Sequence, residues 1–159
     1  KRCEFGRYKD RFRVIDDFDE AKHVLFEELF ENEIIGKRWS SDKDRSPLVI
    51  IIDELLDLIF MHKSKSSKYV SDQNRYEAII KILDIGPELN IFTIISTQSS
   101  DKDILTKKIL DNCQTRLAFR TINAQDSRRI LKKPGAEDLL GRVEAILYQE
   151  GKCRKIQCP

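Results

Sequence analysis

Two adjacent carboxylates, Asp53 and Glu54, directly follow the aliphatic run Leu-Val-Ile-Ile-Ile at residues 48–52. A run without polar alternation is typical of a strand buried on both faces of a parallel sheet, and ligands of such sheets bind at the carboxyl ends of the strands. An aspartate there can hold Mg²⁺ through water, and a neighbouring glutamate can deprotonate an attacking water. The alternative interpretation is that Asp53 only caps a helix that begins at Glu54.

Polar side chains also follow a second apolar run, at residues 91–96, where the chain continues into Thr97 and Gln98. If the two runs form neighbouring parallel strands, these side chains lie at the same sheet edge as Asp53. A hydroxyl and an amide at that edge can hydrogen-bond a γ-phosphate or the attacking water. The alternative is an ordinary turn at the end of a strand.

Four arginines follow between residues 116 and 129. Arg116 and Arg120 lie on a predicted strand at 114–121, and Arg128 and Arg129 lie on the helix after it. Arginine carries a permanent charge and a planar set of donors that suits phosphate. One of these side chains could therefore reach a nucleotide bound to a neighbouring subunit, or contact a nucleic-acid backbone. The alternative is that each is a solvated or salt-bridged surface residue.

A lysine- and serine-rich stretch at 62–71 has no apolar periodicity and predicts a surface loop. Lys63, Lys65 and Lys68 in this loop are candidates for contact with a DNA backbone, without sequence recognition. A solvated loop without a partner is the alternative.

The chain as a whole is not strongly basic, because 29 Lys and Arg against 27 Asp and Glu leave a net charge of +2. A wholesale polycation that packs nucleic acid is thereby excluded.

Periodicity and capping signals predict alternating helices and strands in one domain of residues 1–159, a three-layer α/β fold with a mostly parallel sheet and helices on both faces. Helices are predicted at 18–35, 54–61, 72–88, 100–111 and 123–131. Strands are predicted at 1–5, 12–15, 48–52, 91–96 and 114–121, followed by a terminal hairpin of 143–149 and 152–157. No apolar run approaches the ~20 residues that span a bilayer.

The four cysteines contain no Cys-x-x-Cys pair, which favours reduced cytosolic thiols. The alternative is a metal site of Cys153 and Cys158, completed by His62 or Cys113.

The first residue is Lys1 rather than Met, so the beginning of the protein is expected to lie upstream.

Five segments, taken in order, resemble the motifs of the FtsK/SpoIIIE family of DNA-pumping ATPases. The carboxylate-bearing run resembles the family's Walker B segment, and Ile-Ile-Ser-Thr-Gln resembles its Ala-Thr-Gln segment. The others resemble Thr-Arg-Ile-Ala-Phe, Asp-Ser-Arg-x-Ile-Leu and Gly-Ala-Glu-x-Leu-Leu-Gly. The matching segments are residues 48–58, 94–98, 115–120, 126–131 and 135–141. The opening residues 1–5 also look like a strand of the family, so the resemblance covers nearly the whole chain.

The resemblance implies the carboxyl-terminal part of a RecA-like P-loop ATPase domain that uses ATP and Mg²⁺. It implies that Asp53 holds Mg²⁺ through water and that Glu54 is the base. It also implies that Thr97 and Gln98 sense the γ-phosphate, with Gln98 counted among the catalytic residues.

For the parent protein, the resemblance implies a ring, expected to be hexameric, that hydrolyses ATP between subunits and drives DNA through its pore. An arginine among Arg116, Arg120 and Arg128 would contact a neighbour's nucleotide, and Arg116 is the first candidate for a catalytic role. A cytoplasmic location follows, with the parent protein either free or anchored to the inner face of the bacterial membrane. The last residues, 154–159, resemble the coupling ATPases of conjugative elements more than the chromosome translocases.

The chain departs from the family pattern in three places. It contains no Gly-x-x-x-x-Gly-Lys-[Ser/Thr] phosphate loop, which the family places upstream of the segment matching Lys1. We therefore expect the isolated chain neither to bind ATP tightly nor to hydrolyse it. Ser99 and Ser100 replace the Arg-Pro that commonly follows Ala-Thr-Gln, and Leu55-Leu56 replaces Phe-Ala. Two rival functions remain open: a type VII secretion-like ATPase that moves protein, and a non-catalytic scaffold.

Overall fold

The computed structural model describes residues 13–15, 17–25, 36, 46–60, 72–141 and 143–158. The helices are α1 (Phe18–His23), α2 (Leu55–Phe60), α3 (Asp72–Ile85), α4 (Lys107–Asn112) and α5 (Ala124–Leu131). The strands are β1 (Leu48–Ile52), β2 (Ile91–Ile95), β3 (Arg116–Ala118), β4 (Glu144–Gln149) and β5 (Lys152–Gln157). Short 3₁₀ turns cover Pro87–Leu89 and Ala136–Asp138. The predicted mixed α/β class is confirmed.

The described strands form two sheets. Strands β1 and β2 pair in parallel, in a register that runs from Leu48 opposite Ile91 to Ile52 opposite Ile95. The other sheet is antiparallel, in the order β3-β4-β5. In a parallel pair both carboxyl ends lie at one edge, so the residues after Ile52 and Ile95 are brought together.

Helices α2 and α3 pack on one face of the parallel pair. The buried side chains there include Leu55, Ile79 and Ile91, which are at most 2% exposed. On the opposite face Ile51 is 58% exposed and Phe92 is 52% exposed. The prediction that these strands are buried on both faces is therefore wrong for the described part of the chain. Burial alternates along each strand, although the side chains on both faces are mostly apolar.

Gly86 allows the chain to turn from α3 into β2. Its N–H donates to Ile82 O at 2.9 Å, and its own carbonyl accepts from Ile91 N at 2.8 Å. A Cβ on this residue would collide with the Ile82 carbonyl oxygen and lie 3.0 Å from that of Ile91. Backbone atoms on two sides leave no room for a side chain, which explains why the sequence signal for a helix end at this glycine was reliable.

We expect Gly86→Ala to destabilise the domain by about 1–3 kcal/mol, the usual cost of overpacking a tight site. Urea unfolding of the variant and the wild type measures this difference. Gly141→Ala is the matched control, because a Cβ there meets no atom within 4 Å, and its stability should stay within about 0.5 kcal/mol of wild type. Equal stabilities for the two variants would contradict the steric explanation.

Helix α5 covers one face of the antiparallel sheet, and Ser127 ties it to the turn that follows. The Ser127 side chain is fully buried. Its hydroxyl donates to Lys133 O at 2.8 Å and accepts from Ala136 N at 3.0 Å. Buried polar groups need such partners. This serine therefore joins the two sequence segments 126–131 and 135–141 into one structural unit.

Several predicted boundaries are confirmed by local hydrogen bonds. Asp17 accepts from Glu20 N at 3.0 Å, and Asn123 accepts from Asp126 N at 2.9 Å, as helix caps do. The hairpin turns through Glu150 and Gly151, both at positive φ (51° and 77°), which a two-residue turn between antiparallel strands requires.

Other boundaries differ from the prediction. Helix α4 begins at Lys107 rather than after Ser100, because Asp101 forms a local turn instead. Its carboxylate accepts from Asp103 N at 2.9 Å, and its carbonyl accepts from Ile104 N and Leu105 N. Strand β3 has three residues rather than the eight predicted. The predicted strand 12–15 is wrong for its described residues 13–15, which form no strand. The predicted strand 1–5, the loop 62–71 and most of the helix 18–35 lie outside the described residues.

Candidate active site at the carboxyl edge of the parallel strands

The turns that follow β1 and β2 are bonded to each other. Ser96 N donates to Ile52 O at 2.8 Å, and Leu55 N donates to Ser96 O at 3.0 Å. The Ser96 hydroxyl also donates to the carbonyl of Asp53. The parallel pairing thus continues past both strands, and it places Asp53 and Glu54 beside Thr97 and Gln98. Ser96 belongs to the same polar segment of the sequence as Thr97 and Gln98, and its backbone and hydroxyl make the contacts that join the two turns.

Glu54 is half-buried, and both of its carboxylate oxygens accept hydrogen bonds. Oε1 accepts from the Thr97 hydroxyl at 2.6 Å and from Leu56 N at 3.1 Å. Oε2 accepts from Gln98 N at 2.9 Å. An ionised carboxylate has about four acceptor positions, so these donors occupy three of them and leave one on Oε2. Glu54 is thereby held in a defined orientation with room to accept one more proton donor.

Asp53 does not cap the helix, contrary to the alternative considered from sequence. Helix α2 begins at Leu55, and it is Glu54 that accepts from the first-turn amide of Leu56. The Asp53 side chain is exposed beside Glu54 at the strand end. Asp53 is therefore available for a ligand that approaches this edge of the sheet.

The donor set fits Mg²⁺, which prefers hard oxygen ligands. In proteins Mg²⁺ usually keeps several waters and binds one or two carboxylates together with substrate phosphates. The exposed carboxylate of Asp53 matches the carboxylate part of that pattern. Within the described ranges, no group of three or more His, Cys, Asp or Glu side chains forms a metal site of its own.

Arg116 lies away from this edge, buried between α4, α5 and the antiparallel sheet. It is 8% exposed. Its Nε donates to Cys113 O and its Nη1 to Ile130 O, both at 2.8 Å, while its Nη2 donates to Leu110 O. The guanidinium also stacks on the Tyr148 ring, 4.9 Å from its centroid.

These contacts correct the expectation that Arg116 is catalytic. The carbonyls at a helix C-terminus lack partners within the helix and attract cations. Arg116 supplies that partner at the ends of α4 and α5, so its donors face inward and not toward a neighbouring molecule. No local pattern in the sequence distinguishes such an arginine from an exposed one.

Of the remaining predicted residues, the two described arginines, Arg120 and Arg128, are not part of the Glu54 cluster. Arg120 and Arg128 are exposed, after β3 and on α5. Lys63, Lys65 and Lys68 lie outside the described residues.

Three of the cysteines, Cys113, Cys153 and Cys158, are free thiols. Burial raises the pKa of the Cys113 thiol, and the nearby Arg116 charge only partly opposes this. A raised thiol pKa disfavours the thiolate that a metal site needs.

Across the described segments, no helix is both long and apolar enough to cross a membrane.

Comparison with known proteins identifies clear relatives, although no protein-family model matches the chain. The DNA translocase FtsK of Streptomyces avermitilis is 32% identical over 143 residues, which cover 88% of this chain and 14% of the relative. The FtsK of Sporosarcina ureae is 32% identical over 87% of this chain and 18% of the relative. The FtsK of Streptococcus pyogenes is 34% identical over 84% of this chain and 17% of the relative. The chain thus spans less than a fifth of the length of these relatives.

Two solved structures share the fold. The pCW3 conjugation coupling protein TcpA, solved with ATPγS, superposes with a TM-score of 0.58 over 89% of this chain and 40% of its own, at 19% identity. The cytoplasmic domain of the type VII secretion ATPase EccC from Thermomonospora curvata superposes with a TM-score of 0.57. The superposition covers 89% of this chain and 16% of that domain's chain, at 17% identity. These neighbours share the α/β fold of this chain. The sequence relatives, 32–34% identical over 84–88% of this chain, show that the chain belongs to the FtsK family and corresponds to a part of its members' length.

Proposed function

We propose that this chain is part of an ATP-driven motor that translocates DNA. The observation that carries the proposal is the cluster at the carboxyl edge of β1 and β2, where Glu54 is oriented by Thr97 and Gln98 beside the exposed Asp53. The similarity to FtsK translocases, over 84–88% of this chain, supports the same assignment.

In this motor Asp53 would hold Mg²⁺ through a water, and the bound ion would supply compensation for the charge that develops on the transferred phosphoryl group. Glu54 uses its remaining Oε2 acceptor position to take a proton from the attacking water. Thr97 and Gln98 keep the carboxylate pointing at that water. Because the Thr97 hydroxyl and the Gln98 backbone N–H bond directly to Glu54, a γ-phosphate that attracted the Thr97 hydroxyl would also change the orientation of the base.

These residues supply only part of the catalytic machinery of the proposed motor. The sequence lacks a phosphate-binding loop, which the motor also needs, so we expect the isolated chain not to hydrolyse ATP. Arg120 and Arg128 are exposed and remain candidates to reach a neighbour's nucleotide in a hexameric ring. Lys63, Lys65 and Lys68 remain candidates for contact with DNA. We place this part of the protein in the cytoplasm, with the parent free or membrane-anchored.

One observation favours a second candidate function. The type VII secretion ATPase matches the fold as closely as the conjugation coupling protein does, with TM-scores of 0.57 and 0.58. Transport of protein rather than DNA is therefore the rival, and a non-catalytic scaffold is the other. The relatives above 30% identity are DNA translocases, which favours DNA.

Steady-state ATP hydrolysis by the full-length protein separates these possibilities. We expect added DNA to raise the turnover rate severalfold at low salt and less at high salt, because contacts with the phosphate backbone weaken as salt rises. Duplex and single-stranded DNA are compared in parallel with an unfolded polypeptide. Stimulation by the polypeptide alone would favour protein transport, and no hydrolysis under any condition would favour a scaffold.

A further inference from the structure

Arg129 connects helix α5 to the loop that carries Thr97 and Gln98. Its Nη1 donates to the backbone carbonyl of Ser100. The same nitrogen lies 3.5 Å from Asp126 Oδ1, one turn earlier on the helix, and the two side chains are only 23% and 15% exposed. The Asn123 side chain caps the start of α5 by accepting from the backbone N–H of Asp126. The guanidinium is thus aimed at the loop from a rigid element.

The loop is folded internally by short-range hydrogen bonds. The Thr97 hydroxyl accepts from Ser99 N, and the Ser99 hydroxyl accepts from Asp101 N, both at 3.2 Å. Bonds between residues two apart shape a turn, but they do not attach it to the remainder of the molecule. Attachment comes from Glu54 at one end, from the buried side chain of Ile104 at the other, and from Arg129 between them.

The two residues that make this connection are not specified by the family motifs. Ser99 and Ser100 stand at the two positions where the family commonly has Arg-Pro, so Ser100 takes the place of the proline. Arg129 occupies the variable position of the Asp-Ser-Arg-x-Ile-Leu segment. A proline has a fixed φ and no backbone N–H, so it stiffens a loop by itself. The flexible serine pair does not, and a charged donor directed at its carbonyl provides a restraint from outside.

We infer that Arg129 is a positioning residue for ATP hydrolysis: it holds the 96–101 loop so that Thr97 and Gln98 stay bonded to Glu54. This inference rests on the proposed function for its catalytic consequence, but the restraint on the loop does not. The Asp126 carboxylate limits the orientations of the guanidinium. The Arg129 side chain is itself 23% exposed. A substitution that removes its charge is therefore expected to release the loop without opening the buried core beneath α5.

The test uses three variants of the full-length protein: Arg129→Gln, Arg129→Lys and, as a matched control, Arg154→Gln, which removes an exposed arginine from β5. Hydrogen exchange followed by mass spectrometry reports on peptides that cover residues 96–101 and, separately, β4 and β5. We expect Arg129→Gln to speed exchange in the loop about tenfold, equivalent to about 1.4 kcal/mol of lost protection. Exchange in β4 and β5 should stay unchanged, and Arg129→Lys should restore most of the loop protection.

Kinetics supply the second readout. Arg129→Gln should lower kcat for ATP with little change in KM, because the contacts of the loop orient the base Glu54, and Arg129→Lys should recover much of the rate. The inference would be overturned if the loop of Arg129→Gln exchanged at the wild-type rate. It would also be overturned if exchange in β3–β5 of this variant sped up as much as exchange in the loop. A failure of the proposed function shows differently: hydrolysis would then be insensitive to Glu54→Gln, while the exchange result would be unaffected.

Discussion

Glu54→Gln in the full-length protein is expected to lower steady-state ATP hydrolysis by about 10²–10⁴-fold, the range that general base catalysis contributes. Glutamine has nearly the same shape, and its amide oxygen can still accept from Thr97 or from Gln98 N. It cannot take a proton from water. The variant should therefore retain bound nucleotide while turnover stops, and the measurements are phosphate release together with nucleotide retention in the same preparation.

The matched control is Asp84→Asn, which neutralises an exposed carboxylate on α3. It changes the net charge by the same amount as Glu54→Gln but lies outside the Glu54 cluster. Its hydrolysis rate should stay close to that of the wild type. If Glu54→Gln hydrolysed ATP as fast as this control, the base would have to be another residue, and the proposed role of the cluster would be wrong.

Arg116→Met should destabilise the domain by about 3 kcal/mol or more, because buried acceptors without donors cost about 1–3 kcal/mol each. Methionine fills part of the space of the arginine stem. It leaves the carbonyls of Leu110, Cys113 and Ile130 without the donors that Arg116 provides, and the stacking on Tyr148 is also lost. The free energy of unfolding in urea measures the effect.

Arg120→Met serves as the control for stability, since Arg120 is exposed just after the same strand and exposed substitutions usually change stability by less than about 0.5 kcal/mol. The pair also separates a structural from a catalytic arginine. A stable Arg116→Met protein that had lost only its ATPase activity would restore Arg116 as a catalytic residue, against the contacts in this structure.

The short-range features of this protein were determined by its sequence. Asp17 and Asn123 cap helices because a side-chain oxygen reaches an amide three residues later, and Gly151 turns the hairpin through a backbone conformation that it adopts without strain. The meeting of Asp53 and Glu54 with Thr97 and Gln98 was also predictable. It needs only two neighbouring parallel strands, whose ends necessarily lie at one edge.

Only the tertiary structure decided which apolar face of the parallel strands is covered and which arginine is buried. Val49 and Ile50 are equally apolar neighbours, so composition could not show that helices pack on the Ile50 side and leave Val49 53% exposed. Arg116 and Arg120 are likewise the same residue type on one predicted strand. The two arginines differ because the carbonyls of Leu110, Cys113 and Ile130, at the ends of α4 and α5, converge on Arg116 and not on Arg120. Burial of this charge depends on how two helix ends pack beside the strand, and the residue types along the strand do not show that packing.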